Sequence, residues 1–158
     1  MGYLHKTLLV FGLSMAIIHL SHAQDGNAPE DYIAAHSCIR KVFDLPQLQW
    51  NPDLAKAAQA WADQSKNCKL KRSGKCGESM AAGPNLNGSY AVQMWLDEKR
   101  EYDYYEHKCK KPCSHYVQTI WKNTTCLGCG RAQCDDGVSW VVVCKYDPPG
   151  NIAGEKPF

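Results

Sequence analysis

The order of periodicities along this 158-residue chain predicts an α+β domain, an antiparallel sheet covered by helices. Three observations predict it. Four separate segments carry apolar residues at helical spacing, two adjacent segments near the C-terminus have strand character, and nine cysteines sit at a density typical of a disulfide-stapled domain.

The first 23 residues stand apart from that domain. Lys6 gives a basic start, "LLVFGLSMAIIHL" (residues 8–20) is an apolar stretch, and Ser21-His22-Ala23 supplies small residues for signal cleavage after Ala23. A retained anchor is the alternative, but the run is shorter than the about 20 residues of a comfortable span. Residues 24–158 then form one domain, long enough to bury a core. Loss of the leader removes one lysine, leaving 17 basic against 16 acidic residues, a net charge of +1. That balance gives no footprint for nucleic acid and no polybasic arm for a membrane. The basic stretch around Lys69, Lys71 and Arg72 is read as a solvated loop. In an oxidising compartment the cysteines imply disulfides before metal. Cys126 and Cys129 form a lone CxxC motif, which argues against a structural zinc cluster.

The first helix is "APEDYIAAHSCIRKVF", with Tyr32, Ala35, Ile39, Val42 and Phe43 at helical spacing and His36 beside that stripe. The second opens with Asn51 as cap and Pro52 at the first turn, and Leu54, Ala57, Ala58 and Trp61 make its inner face. A glycine-containing loop is expected from about Lys69 to Gly88. The third helix, opened by Ser89, presents Ala91, Met94, Trp95 and Glu98. A carboxylate on an apolar stripe is costly unless partnered, so Glu98 requires a donor. "SHYVQTIWK" is a short fourth helix with Val117, Ile120 and Trp121 inward. "GCGRAQC" and "SWVVVCKY" read as strands joined at Asp135-Asp136-Gly137, and residues 147–158 form an irregular tail held by packing or by cysteines.

Only three histidines remain after the leader: His36, His107 and His115. Two imidazoles and the carboxylates Glu78 and Glu98, converging from separate elements, would form a polar pocket able to take a divalent cation. Ordinary hydrogen-bonded histidines are the alternative. Asn87-Gly88-Ser89 and Asn123-Thr124-Thr125 are N-glycosylation sequons.

The stretches "AAHSCIR", "MWLDEKREYDYY", "SHYVQTIW", "GCGRAQC" and "VVVCKYDPPGNIAGEKPF" resemble the CAP superfamily, and within it the plant class-one pathogenesis-related proteins. The resemblance covers essentially all of residues 24–158 and implies an α-β-α sandwich. It places the family's cavity tetrad on His36, Glu78, Glu98 and His115, with the two histidines as zinc ligands in relatives. Ser37 and Ser79 stand where the family has asparagine, Cys38 replaces a small residue and Cys76 an aromatic one. The resemblance also implies the disulfides Cys68–Cys134, Cys109–Cys113 and Cys129–Cys144. Cys38, Cys76 and Cys126 are left over, and an odd total leaves at least one thiol outside intramolecular pairs.

The function so implied is a secreted, non-enzymatic defence protein, extracellular (apoplastic) or vacuolar, monomeric, and antimicrobial through sterols or related lipids. The lipid-binding loop falls on "YDYYEHKCKKP", with Tyr102, Tyr104 and Tyr105 as exposed aromatics, or else as residues packed on the domain's own surface. Residues 148–158 correspond to a segment released in relatives as an immune signal by cleavage between Asp147 and Pro148, which implies a protease and a receptor as partners. Lys145 there replaces the family's asparagine. No cofactor is required on this view, although zinc is an expected occupant of the cavity. The alternative is a hydrolase using the His/Glu cavity, with Ser37 or Ser114 as nucleophile. The sequence contains neither a G-x-S-x-G elbow nor an H-E-x-x-H pair for it.

Overall fold

Side-chain alternation on two strands organises the molecule. In the computed structural model, which describes residues 25–74 and 77–158, β5 (Cys126–Gln133) and β6 (Ser139–Asp147) form the expected antiparallel hairpin. The expected leader (residues 1–23) and Cys76 lie outside the described residues. The Asp136 carboxylate fastens the turn by accepting from the amides of Val138 and Ser139. β1 (Gln49–Trp50) joins β5 in parallel and β2 (Glu78–Pro84) joins β6 antiparallel, giving the order β1-β5-β6-β2. β3 (Tyr102–Asp103) and β4 (Lys108–Cys109) make a separate two-stranded ribbon.

Helices cover both faces of the four-stranded sheet. On one side α2 (Pro52–Gln64) packs through Ala58 and Ala62 against Met80, Val141 and Val143. It lies so close to β5 that a side chain at Gly128 or Gly130 would run into the backbone of Asn51, Leu54, Ala55 and Gln59. On the other side α1 (Pro29–Arg40), α3 (Gly88–Asp97) and α4 (Ser114–Thr119) enclose Val142, Cys144 and Tyr146. The result is the α-β-α sandwich.

Several boundaries differ from the sequence expectation. Part of the expected loop is β2, because its residues complete the β6 ladder from Glu78↔Lys145 to Pro84↔Ser139. α3 starts at Gly88 and is capped by Asn87, whose Oδ1 accepts from the Tyr90 amide, rather than by Ser89. Its buried residues include Ala91, Val92, Trp95 and Leu96, while Met94 is 41% exposed. On α2 the buried pair is Ala58 and Ala62, and Leu54, Ala57 and Trp61 keep contact with solvent. α4 does turn Val117 inward, and Ile120 and Trp121 just beyond it are buried.

α1 departs furthest from an apolar stripe. Tyr32, His36 and Arg40, spaced one turn apart, are its most enclosed residues, whereas Val42 just beyond it is 70% exposed. Arg40 is fully buried without a carboxylate. Its guanidinium donates to four carbonyls: Pro46 (2.8 Å), Thr119 (3.0 Å), Trp121 (3.0 Å) and Thr124 (3.1 Å). These belong to the turn after α1, the end of α4 and the segment leading into β5. The planar fork has donors in the directions that these separate chain segments require.

Substitution Arg40→Met should therefore strand four buried carbonyls and destabilise the protein by about 3–5 kcal/mol. Arg40→Lys should recover only a minor part of that loss. Urea unfolding of the disulfide-intact protein measures both, and a loss below about 1 kcal/mol for Arg40→Met would refute this account.

Candidate functional site

The four tetrad positions fall into three separate polar pairs. Glu98 lies in the 3-10 turn Glu98–Glu101 after α3, where it meets the start of α4. Its Oε1 is 2.7 Å from Nδ1 of His115, and its Oε2 accepts from the amides of His115 (3.0 Å) and Tyr116 (3.2 Å). Those amides are among the unsatisfied donors of a helix N-terminus, and Cys113 provides no side-chain cap there. The partner that Glu98 requires is thus a helix end, with the imidazole of His115 closing the other carboxylate oxygen.

Glu78 pairs with Lys145, its register neighbour on β6, at 2.6 Å from Nζ to Oε2. Ser73 completes the arrangement. Its amide donates to Oε1 (2.8 Å) and its hydroxyl to Oε2 (2.6 Å), while Lys145 also reaches the Ser73 oxygen at 3.1 Å. Burial pushes the Glu78 carboxyl up, but the Lys145 ammonium and the two Ser73 hydrogen bonds together hold it below the usual carboxylate range. The preceding residue, Arg72, donates to Ser114 Oγ at 2.9 Å. The loop at residues 72–73 therefore ties the Glu78–Lys145 pair to the start of α4.

His36 stands apart. It is fully enclosed, with Nδ1–H donating to the Tyr32 carbonyl at 2.7 Å and Nε2 accepting from the Tyr146 hydroxyl at 2.9 Å. Burial pushes its pKa down to about 4, against a smaller opposing effect of the Tyr32 carbonyl, so the ring is neutral. Lys145 and Tyr146 are consecutive strand residues and leave the sheet on opposite faces. Glu78 and Lys145 emerge beside Met80 and Val143 on the α2 face, whereas Tyr146 and His36 belong to the opposite core. The sheet itself separates His36 from Glu78. Trp95 contacts the imidazoles of both His36 and His115, at centroid distances of 6.5 Å and 5.9 Å, and no direct contact joins those two.

The four residues thus make separate polar contacts, and His36 as hydrogen-bonded here does not fit a zinc ion shared with His115. Both nitrogens of His36 are hydrogen-bonded, and each glutamate already has a cationic or amide partner. Among the described residues no group of three or more His, Cys, Asp or Glu is gathered for an ion. The third histidine, His107, lies on the ribbon loop with Nδ1 3.2 Å from the Tyr102 hydroxyl.

The expected tyrosine platform is turned largely inward. Tyr102 is a core residue at 4% exposure, and Tyr104 bonds Tyr116 through their hydroxyls (2.8 Å) and stacks with Phe43. Tyr104 nevertheless keeps 46% of its surface exposed, and Tyr105 projects freely at 90%. A concavity of about 600 Å³ lies elsewhere, between α2 and the end of β6. Leu54, Ala57 and Trp61 form one wall, Tyr146 and Pro149 another, and Ser73 and Lys145 the polar end.

The structure holds the disulfides Cys68–Cys134, Cys109–Cys113 and Cys129–Cys144, the last between directly opposed residues of β5 and β6. Among the described residues Cys38 and Cys126 have no disulfide partner, Cys38 being exposed and Cys126 half-buried. Of the sequons, Asn123 is exposed and Asn87 is the half-buried cap of α3. Asp147 and Pro148 are exposed at the strand end, but the tail beyond is pinned. The Pro148 carbonyl accepts from Thr124, the Gly150 amide donates to Gln118, and the Lys122 amide donates to the Pro157 carbonyl.

Arg72, Ser73, Lys145 and Tyr146 were not among the expected site residues. Lys145 had a usable signal. In "WVVVCKY" it continues the inward alternation of Val141 and Val143, and an inward lysine demands an anion.

The description of the cysteine-rich secretory protein family, CAP, matches residues 33–146. Pathogenesis-related leaf protein 4 of Solanum lycopersicum is 40% identical, with 100% of both chains covered. The basic form of pathogenesis-related protein 1 of Nicotiana tabacum is 40% identical over 100% of this chain and 90% of its own. Among solved structures, Schistosoma mansoni venom allergen-like protein 4 matches with a TM-score of 0.68 and 24% identity, covering 82% of this chain and 92% of its own. NaASP2, solved with Zn²⁺, gives a TM-score of 0.68 at 19% identity, covering 84% and 87%. The chain belongs to the cysteine-rich secretory protein (CAP) family. Its relatives in sequence are pathogenesis-related proteins of plants.

Two outcomes test the site. Lys145→Met should destabilise by about 3–5 kcal/mol by leaving the Glu78 carboxylate buried and unpaired, and the added change Glu78→Leu should recover most of it. Equal losses in the single and double variants, by urea unfolding, would show that the ion pair is not the cause.

The second outcome concerns pH. The folded pKa of His36 lies below its unfolded value, so the unfolded chain binds more protons between about pH 4 and 6.5. Its contribution to stability is present above about pH 6.5 and is lost as pH falls towards 4, by roughly 3 kcal/mol in all. His36→Gln should remove this component. A wild type and variant with parallel stability curves over that window would refute it.

Proposed function

We propose that this chain is a secreted plant defence protein that acts by binding a sterol or related lipid and performs no catalysis. Full-length similarity to pathogenesis-related proteins of tomato and tobacco supports the defence role and, with it, secretion. The observation that carries the binding role is the cavity of about 600 Å³ between α2 and β6. Its volume lies in the range of small-molecule sites, and Leu54, Ala57 and Trp61 give it an apolar wall. Lys145 and Ser73 offer polar contacts at one end for a hydroxyl group, and Glu78 already neutralises the lysine. A predominantly uncharged ligand matches that balance.

The hydrolase alternative lacks a nucleophile and base in contact. Ser37 donates to the Ile33 carbonyl, and Ser114 accepts from Arg72. Among the described residues no serine hydroxyl is hydrogen-bonded to an imidazole. Ser73 does touch Lys145, but its hydroxyl donates to Glu78 and the Lys145 Nζ is also bonded to that carboxylate, so the pair is engaged in a structural ion pair. Release of residues 148–158 as a signal is not part of this proposal, because the tail is fastened by the contacts described above.

The test is titration of the secreted, disulfide-intact protein with dehydroergosterol, followed by fluorescence. Saturable binding is expected, weakened about tenfold by Ala57→Trp, which fills the cavity, and less than about twofold by Tyr105→Ser. Absence of saturable binding would end the lipid proposal. Binding indifferent to Ala57→Trp would remove the ligand from this cavity.

A further inference from the structure

We propose that the aromatic groove beneath residues 157–158 is a peptide-recognition site for a Pro-Phe segment, occupied in cis by the chain's own tail. The inference does not depend on lipid binding, nor on whether the tail is ever released. It begins with Phe158, whose ring stacks on Phe43 at a centroid distance of 4.4 Å and lies 5.2 Å from His107 and 6.4 Å from Tyr102. Pro157 beside it is buried, and its carbonyl accepts from the Lys122 amide. These contacts give the last two residues an aromatic seat, a proline contact and one main-chain hydrogen bond.

The intervening chain is of a different character. Residues 151–156 are all exposed, with no regular structure beyond a turn closed from Glu155 to Ile152. The tail root is held at Gly150, where the amide donates to Gln118 and Trp121 and Gln118 leave no room for a side chain. Buried contacts at both ends of an exposed span are the pattern of a tethered ligand rather than of a core segment. A space of about 190 Å³ also remains between Tyr102, His107, Val117 and Trp121 on the groove side and Ile152 and Pro157 on the tail side. The seat is therefore only partly filled by the tail.

Tethering decides who occupies it. A short flexible linker presents its end at a millimolar effective concentration, so even a weak anchor stays bound in cis and excludes the same sequence in trans. Weakening the cis anchor should open the seat to a free peptide of the same chemistry. Phe158 is half-buried and terminal, so its removal leaves the core intact.

The experiment uses the full-length, disulfide-intact protein and the synthetic peptide PPGNIAGEKPF, labelled with fluorescein at its N-terminus and followed by anisotropy. Phe158→Ala should bind this peptide at least about tenfold more tightly than wild type does. The same peptide ending in alanine should not bind. Pro157→Gly, which loosens the anchor without removing the ring, should change binding in the same direction. Amide exchange at Lys122 should accelerate in both variants, independently of any added peptide. Failure of Phe158→Ala to bind, equal binding of the phenylalanine- and alanine-ended peptides, or unchanged exchange at Lys122 would each overturn the proposal.

Discussion

A buried guanidinium with no acid beside it is the constraint on which the rest depends. Arg40 remains cationic inside the core only because four carbonyl oxygens from three chain segments point at it. Each carbonyl in turn has its donor fixed by the rigid fork. The end of α1, the end of α4 and the run into β5 therefore meet in one relative position. Thr124, held there through its carbonyl, accepts from Gln118 and donates to the Pro148 carbonyl, and Gln118 accepts from the Gly150 amide. Placement of the tail root follows from the placement of the arginine.

The same economy governs the polar residues that the family resemblance gathers into a cavity. In this chain each is satisfied separately, Glu98 by the start of α4, Glu78 by Lys145 and Ser73, and His36 by Tyr32 and Tyr146. Lysine at position 145 changes the character of the site, since a buried carboxylate with its own ammonium has little left to offer a metal ion. The polar groups act as fasteners between layers, and the apolar cavity beside α2 is lined separately from the His36 and Glu98 pairs.

Much of the fold was legible in the sequence. The strand character of "SWVVVCKY", the Asn51-Pro52 start of α2 and the inward Val117, Ile120 and Trp121 all reflect local rules, and each appears as expected. The failures share a cause. α1 buries Tyr32, His36 and Arg40, so its inner face is polar and escapes a search for apolar spacing. β2 was hidden because its residues become a strand by pairing with β6, a partner about sixty residues away, and no local signal marks it. The separate contacts of the four tetrad residues have a geometric reason. Which residues share a face depends on sheet register, and only the pairing of Glu78 with Lys145 reveals that His36 is on the other side. The tyrosine loop shows the limit of residue type, since aromatic side chains suit a lipid surface and a core equally well.

The Glu98 carboxylate at the head of α4 has a further consequence. α4 has six residues, too few to hold a helical conformation alone, and its first amides are satisfied by a residue sixteen positions before it begins. The helix is therefore not an independent module. Anyone transplanting the "SHYVQT" segment into a related scaffold would have to carry the turn containing Glu98 with it, since the transplanted stretch alone would arrive without its lid. Exchange between relatives meets the same restriction: the turn after α3, the ribbon tied to α4 by Cys109–Cys113 and by the Tyr104–Tyr116 hydroxyl contact, and the whole of α4 form one inheritable unit.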